Sequence, residues 1–394
     1  MKVSEEWRVA LRVIERIEKN GFEAVIVGGA VRDHLLQRRV NDVDVATNAL
    51  PSEVKQIFSS TVDVGIEHGT ILVLDEGEPI EVTTYRTEGG YSDFRRPEEV
   101  VFVRSLEEDL QRRDFTINAM AYTKEGAIVD LYGGKTDLAN KVIRAVGDPN
   151  VRFREDALRM LRAIRFSAQL GFAIEQETLK AIQIDSDLID FIANERISTE
   201  MAKVWKSEFV YEGIQLLIES KLANYLVGHF TEQLEYWRPF KANKSEVGWA
   251  YLCLLNRKEF QDIADFYRLS NKEKTFTRKV LNAYDSLSKK WTAMDYFANT
   301  LDVLETAYDF TVWQNMKLPF EKESIQKVKS RLPLQSLDQL AINGNHLMHW
   351  TTRKRGPWIK VALDAAVIAV LNGYVKNDEE KLKEWFLNDF INEG

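Results

Sequence analysis

The spacing of apolar residues changes character near residue 149, and that change limits the chain to a two-part architecture. Before it, helix and strand patterns alternate. Residues 5–19 place Trp7, Val9, Leu11, Val13, Ile14 and Ile17 at helical spacing, and Asn20-Gly21 stops the helix. A short apolar run at 24–27 ends on Gly28-Gly29, a helix pattern covers 31–36, and an alternating strand pattern covers 40–45. Further strand-like runs lie at 61–64, 70–74, 80–85, 100–103 and 128–130, while the charged, glycine-bearing segment 87–99 reads as a loop. From Pro149 onward the period is helical almost throughout, in stretches such as 155–170, 197–205 and 361–375. The expected fold class is α+β, a mixed α/β head followed by all-helical domains.

A chain of 394 residues, 45% of them hydrophobic, can bury substantial cores. Its 53 Lys and Arg against 61 Asp and Glu argue against a uniformly basic nucleic-acid binder or a membrane-surface protein, so any polyanion must bind at a local basic strip. The single cysteine, Cys253, can form neither an internal disulfide nor a thiolate zinc site, which fits a reducing cytoplasm. With no apolar run of signal-peptide or membrane-spanning length, the expectation is a soluble, unprocessed, cytoplasmic protein.

Asp42-Val43-Asp44 falls in an expected strand, where residues two apart share a face and both carboxylates converge. Two close carboxylates repel unless a cation sits between them, and Mg²⁺ is the natural hard, oxygen-liking partner; alone, the pair also reads as solvated acids at a strand end. Upstream, Gly28-Gly29-Ala30-Val31-Arg32-Asp33 offers a tight turn, close backbone approach and free N–H groups to phosphate oxygens, with Arg32 as a forked cation; alone, it is an ordinary strand-to-helix turn. Together the two segments fit a metal-dependent nucleotidyltransferase. Glu81, alternating with apolar residues at 80–84, is the candidate third carboxylate, with a surface glutamate on an edge strand as the other reading. Gly133-Gly134-Lys135-Thr136 imitates the end of a phosphate-binding P-loop, but Val129 stands where its first glycine belongs.

These blocks resemble the signature of class II tRNA nucleotidyltransferases, bacterial type, in the polymerase-β-type superfamily. Arg112-Arg113-Asp114-Phe115-Thr116-Ile117-Asn118-Ala119, Ile143-Arg144-Ala145-Val146-Gly147 and Arg154-Glu155-Asp156-Ala157-Leu158-Arg159 follow in the family's order, and Arg196-Ile197-Ser198-Thr199-Glu200 extends the likeness more weakly. The resemblance implies a nucleotidyltransferase head at 1–148, a helical neck at 149–205, a body at 206–300 and a tRNA-binding tail at 301–394. It implies template-free addition of CCA to the tRNA 3′ end from CTP and ATP, with two Mg²⁺ ions, one of them brought with the nucleotide. Arg113 then matches the family's triphosphate-contacting arginine, with Arg112 beside it; from the residues alone, ion pairing with Asp114 is the other reading.

The spacing of Asp156, Arg159, Arg162 and Arg165 places the four on one face of an expected continuous helix; alone, such a row reads as a solvated, salt-bridged face, but Leu158, Leu161 and Ile164 pack another face, which lets the row line a cleft. Asp156 can accept from the exocyclic amino group of cytosine or adenine while Arg159 donates to the ring acceptor; guanine and uracil present a carbonyl instead. Arg162 and Arg165 then contact phosphate or brace the site. The segment 86–97 matches the family's element for switching from C to A addition and is complete. Arg353-Lys354-Arg355-Gly356-Pro357-Trp358 is the best candidate for tRNA contact in the tail, with a solvated loop as the alternative. Tyr236-Trp237 and Trp249-Ala250-Tyr251 read as helical core, and His68 as structural. A-adding, CC-adding and poly(A)-adding enzymes, a small-molecule adenylyltransferase and a non-catalytic RNA binder are the competing functions. The oligomeric state is open, a homodimer included.

Overall fold

The structure, a computed structural model, describes residues 5–40, 42–91, 97–351 and 353–390. Contacts divide the chain into two units, one of Met1–Ser245 with Gln261–Arg268, the other of Glu246–Phe260 with Leu269–Gly394.

In the first unit, helix α1 (Glu5–Lys19) buries Trp7, Val9, Val13, Ile14 and Ile17, as its periodicity requires. Strand β1 (Ala24–Val27) is buried along its whole length, which is why its sequence is continuously apolar. Helix α2 (Gly29–Leu35), β2 (Asp44–Thr47), α3 (Pro51–Ile57), β3 (Thr61–Gly65), β4 (Thr70–Asp75) and β5 (Glu78–Thr84) follow. After a hairpin of β6 (Arg86–Tyr91) and β7 (Pro97–Phe102) come α4 (Leu106–Gln111), β8 (Met120–Tyr122), β9 (Ile128–Asp130), α5 (Gly134–Ala139) and β10 (Val142–Ile143). Seven strands form one sheet in the order β3-β4-β5-β2-β1-β8-β9. Only the β2–β5 pairing in it is parallel, which brings the start of β2 beside the middle of β5. Helices α6 (Pro149–Glu155) and α7 (Leu158–Leu170), the short strand β11 (Ala173–Ile174), and α8 (Gln176–Ile184), α9 (Asn194–Val204) and α10 (Val210–Glu219) continue the unit.

Three expectations are corrected. Strand β2 begins at Asp44 rather than at residue 40, so Asp42 precedes the strand instead of lying within it. The segment 87–99 is mostly strand: β6 and β7 pair antiparallel from Arg86↔Phe102 to Tyr91↔Pro97, and cross-strand pairing of Thr87 with Val101 outweighs the local glycine and charge signals. Residues 92–96 of that segment lie outside the described residues. The continuous helix expected through Asp156 is broken there, where the backbone is extended at φ −143° and ψ 101° between α6 and α7. Its carboxylate takes the Leu158 amide at 3.2 Å, a local bond that competes with helix continuation.

Every regular element among the described residues of the second unit is a helix. The helix Asn271–Leu287 packs on Leu301–Trp313, and a separate core gathers Leu334, Leu347, Ala362, Val367, Leu382 and Phe386. Trp249 and Tyr251 are fully buried there, as is Trp237 in the first unit, whereas Tyr236 is exposed. No helix among the described residues is long and apolar enough to cross a membrane.

Candidate active site

At the start of β2, Val43 is buried while Asp42 and Asp44 face outward, so alternation brings the two acids to one side, as expected, although only one of them is in the strand. Asp44 is in register with Val27 on β1 and Glu81 on β5. Strand β5 lies between β4 and β2, which removes the edge-strand reading of Glu81 and sets a third carboxylate beside Asp44. Partial loss of hydration in the cleft, then the charge of Glu81, pushes the Asp44 carboxyl above its ordinary range; Arg113 opposes this and Asp42 adds to it. Three acids crowded in this way are suited to a hard divalent cation. Among the described residues no three His, Cys, Asp or Glu side chains are gathered closely enough to hold a metal by themselves, so a cation here would draw further oxygens from its ligand.

The glycine turn sits against an arginine. Gly28 has φ +73°, and a Cβ there would lie 3.0 Å from Arg113 Nη1, so only glycine leaves that guanidinium in place. Arg113 pairs with buried Asp109 (3.1 Å), not with Asp114, and Arg112 donates to Asp109 from Nε and Nη2 (3.0 and 2.7 Å). Arg32 lines the same cleft already engaged: both Asp33 carboxylate oxygens accept from it at 2.9 Å, and Asn118 Oδ1 at 2.8 Å.

On α7 every cation of the expected row has a partner. Arg159 donates to Glu155 (2.6 Å) and to the Arg112 carbonyl (3.0 Å). Arg162 makes a forked pair with Asp114 at 2.8 and 2.6 Å, and that carboxylate also accepts from the Phe115 amide and Asn118. Burial would raise Asp114, but Arg162 and Asn118 hold it well below the usual carboxylate range. Arg165 pairs with Glu200 on α9 and lies 3.7 Å from the centre of the Phe166 ring; burial pushes its guanidinium down to about 10. Arg32 and Arg162 also approach that ring, at 5.0 and 5.5 Å.

Asp156 is held by a residue that sequence reasoning did not assign to the site. Arg196 of α9 donates to both its carboxylate oxygens, at 3.1 and 2.8 Å. Arg196, Glu200 and Lys203 recur at helical spacing on α9, a signal visible in the sequence but without a partner 40 residues upstream to give it meaning. Asn118, Lys203 and Phe166 were likewise missed.

These groups meet in one cleft of about 690 Å³. Gly28, Gly29, Arg32, Asp42, Asp44, Arg113, Asp156, Arg159, Arg162 and Arg165 all line it, and its walls carry eight cationic and five carboxylate side chains, a local basic site in an acidic chain. Glu81 is placed by register rather than by the cleft wall. The imitation P-loop lies elsewhere: the Gly134 and Lys135 amides already donate to Asp130, at 2.8 and 2.9 Å, leaving them nothing for a phosphate.

Three family models match the chain: the poly A polymerase head domain over residues 24–144, the probable RNA and SrmB-binding site of polymerase A over 171–234, and tRNA nucleotidyltransferase domain 2 over 240–386. The CCA-adding enzyme of Geobacillus thermodenitrificans is 41% identical over 394 residues, 96% of each chain. That of Bacillus cereus is 38% identical over 391 residues, 97% of this chain and 98% of the relative. Among solved structures, the Bacillus stearothermophilus CCA-adding enzyme in complex with CTP aligns with a TM-score of 0.88 at 36% identity, covering 99% of each chain. The Thermotoga maritima CCA-adding enzyme complexed with tRNA, at 20% identity and a TM-score of 0.66 over 98% of this chain and 96% of that one, shares the fold.

Proposed function

The chain belongs to the CCA-adding enzymes, the tRNA nucleotidyltransferases of the polymerase-β-type superfamily, and from that premise we propose how its cleft divides the work. It is an enzyme that adds C, C and A to the 3′ end of tRNA from CTP and ATP without a nucleic-acid template, releasing pyrophosphate. Full-length similarity to CCA-adding enzymes favours this over A-adding, CC-adding or poly(A)-adding relatives. Enzymes of this superfamily use a divalent metal.

Asp42 and Asp44, with Glu81 beside them, would hold the divalent metal, proposed as two Mg²⁺ ions with one of them carried by the nucleotide. When bound, the metal supplies Lewis acidity to the attacking hydroxyl and to the leaving pyrophosphate. Gly28 and Gly29 let the triphosphate approach the backbone, and Arg113 neutralises it from the Gly28 side; Arg32, already paired twice, braces that wall. The tRNA 3′-oxygen displaces pyrophosphate from the α-phosphorus in line, so the chain's part is alignment and charge compensation.

Asp156 and Arg159 read the base. Arg196 takes one position on each Asp156 oxygen and fixes the carboxylate plane, leaving acceptor capacity for a cytosine or adenine amino group. Arg159 keeps donors beyond those used by Glu155 and by the Arg112 and Arg152 carbonyls. Arg162 and Arg165, locked to Asp114 and Glu200, brace the wall. The exposed cations Arg353, Lys354 and Arg355 meet tRNA phosphate in the tail. Residues 1–148, 149–205, 206–300 and 301–394 serve as head, neck, body and tail, and the enzyme works in the cytoplasm.

The observation that carries this reading is that the acidic pair, the glycine turn and the Asp156/Arg159 pair line one cleft. The test is extension of a tRNA transcript lacking CCA with Mg²⁺ and CTP, ATP or both, resolved at single nucleotides. Two additions with CTP and a third only with ATP are expected. A stop at CC, addition of A only to tRNA already ending in CC, or a long A ladder would each replace this activity with a relative's.

A further inference from the structure

Behind the cleft lies a carboxylate that the reaction as described does not use. Asp109 sits in the short helix α4, 1% exposed, in a turn whose acids Glu107 and Glu108 give the sequence no reason to single it out. Its two oxygens accept from Arg112 and from Arg113 Nη2, and the amide of Arg86, first residue of β6, approaches Oδ1 at 3.4 Å. Burial would lift this carboxyl, but the two guanidiniums outweigh it and hold it below the ordinary range, so the group is an anion at neutral pH. Arg113 is otherwise lightly held: Asp109 supplies its ion pair, and Arg113 Nε is buried without a hydrogen-bond partner. A guanidinium on a long, flexible stem loses rotamer freedom when a ligand fixes it, and a buried carboxylate that fixes it beforehand removes that loss.

We propose that Asp109 is a positioning residue of the nucleotide site, holding the Arg113 guanidinium against the Gly28 turn where it meets the triphosphate. This rests on the reading of Arg113 as a triphosphate ligand. CTP and CMP share base and ribose and differ only in the phosphates that Arg113 would meet, so their affinity ratio isolates the effect.

The experiment measures equilibrium binding of CTP and CMP to the full-length enzyme and to Asp109→Asn, Arg113→Ala and the double variant, with thermal midpoints alongside. The preference for CTP over CMP is expected to fall about tenfold in Asp109→Asn, as for loss of a hydrogen bond to a charged group, with CMP affinity unchanged. Adding Asp109→Asn to Arg113→Ala should then change the preference little. A purely structural role would weaken both nucleotides alike, and that result overturns the proposal. If Arg113→Ala itself keeps the preference, the reading of Arg113 fails; if Arg113→Ala loses it and Asp109→Asn keeps it, the positioning role fails alone. Should Asp109→Asn not fold, Asp109→Asn with Arg112→Gln keeps the wild-type local net charge while still lacking the carboxylate. Its CTP preference must then fall below that of Arg112→Gln alone, and equality of the two refutes the proposal.

Discussion

Asp42 and Asp44 at the start of β2, and Asp114 and Asp156 beside α7, line one cleft but stand in opposite electrostatic states. Asp42, Asp44 and Glu81 are crowded with like charge, and the Asp44 carboxyl is pushed upward by lost hydration and by Glu81. Across the cleft, Asp114, Asp156 and Glu200 each hold a guanidinium, and Asp114 and Glu200 are pushed downward. The first arrangement gains stability only when a cation arrives; the second is already satisfied and fixes geometry. On the proposed division of the cleft, chemistry falls to the unsatisfied set, and shape and selectivity to the satisfied one.

The largest expected break in this contrast is Asp42→Ala or Asp44→Ala. Either should lower addition of both nucleotides by roughly 1,000-fold or more while leaving tRNA affinity largely intact, measured by single-nucleotide extension and filter binding. Substantial residual metal-dependent turnover would move the metal site elsewhere.

Asp114→Asn acts on the satisfied side. It leaves Arg162 facing a neutral amide instead of its anionic partner and should destabilise the fold by about 3 kcal/mol, read by denaturant unfolding. Because the folded Asp114 carboxyl lies below its unfolded value, its contribution is present above about pH 4 and is lost as pH falls further. The variant should therefore lose less stability than wild type on acidification, and parallel acid profiles would contradict the pairing.

Asp156→Ala should relax discrimination against UTP and GTP by about 1–3 kcal/mol, roughly 5- to 150-fold in the ratio of kcat/KM values. Unchanged selectivity would remove Asp156 from base reading and leave its pair with Arg196 as a brace only.

The smallest effect has the opposite sign. Asp44→Asn relieves like-charge crowding and should raise the metal-free thermal midpoint slightly, by no more than about 1 kcal/mol of stability at neutral pH. Since the folded Asp44 carboxyl titrates above its unfolded value, this advantage should vanish as pH falls below about 4 and the wild-type carboxyl is protonated in both states. Added Mg²⁺ should stabilise wild type and not the variant; equal stabilisation would place the cation away from Asp44.

Much of this was legible residue by residue. Helix α1, strand β1 and strand β9 fall where their periodicity puts them, because each is specified by its own side chains. The β6–β7 hairpin was not, since Thr87 gains its strand character from Val101 across the hairpin rather than from its neighbours in sequence. The break at Asp156 was hidden for a similar reason, because helical spacing continues through it while its carboxylate is taken by Arg196 and by the Leu158 amide.

The sequence by itself determined the class of fold, the acidic pair, the glycine turn and the family, because these rest on short spacings and ordered blocks. Only the tertiary structure decided which charges are paired: Arg162 with Asp114 across 48 residues, Arg196 with Asp156 across 40, and Glu81 in register with Asp44. A charge carries no mark of its partner, and Coulomb attraction falls off with distance in space whatever the separation along the chain, so the pairing exists only once the fold has set the distances.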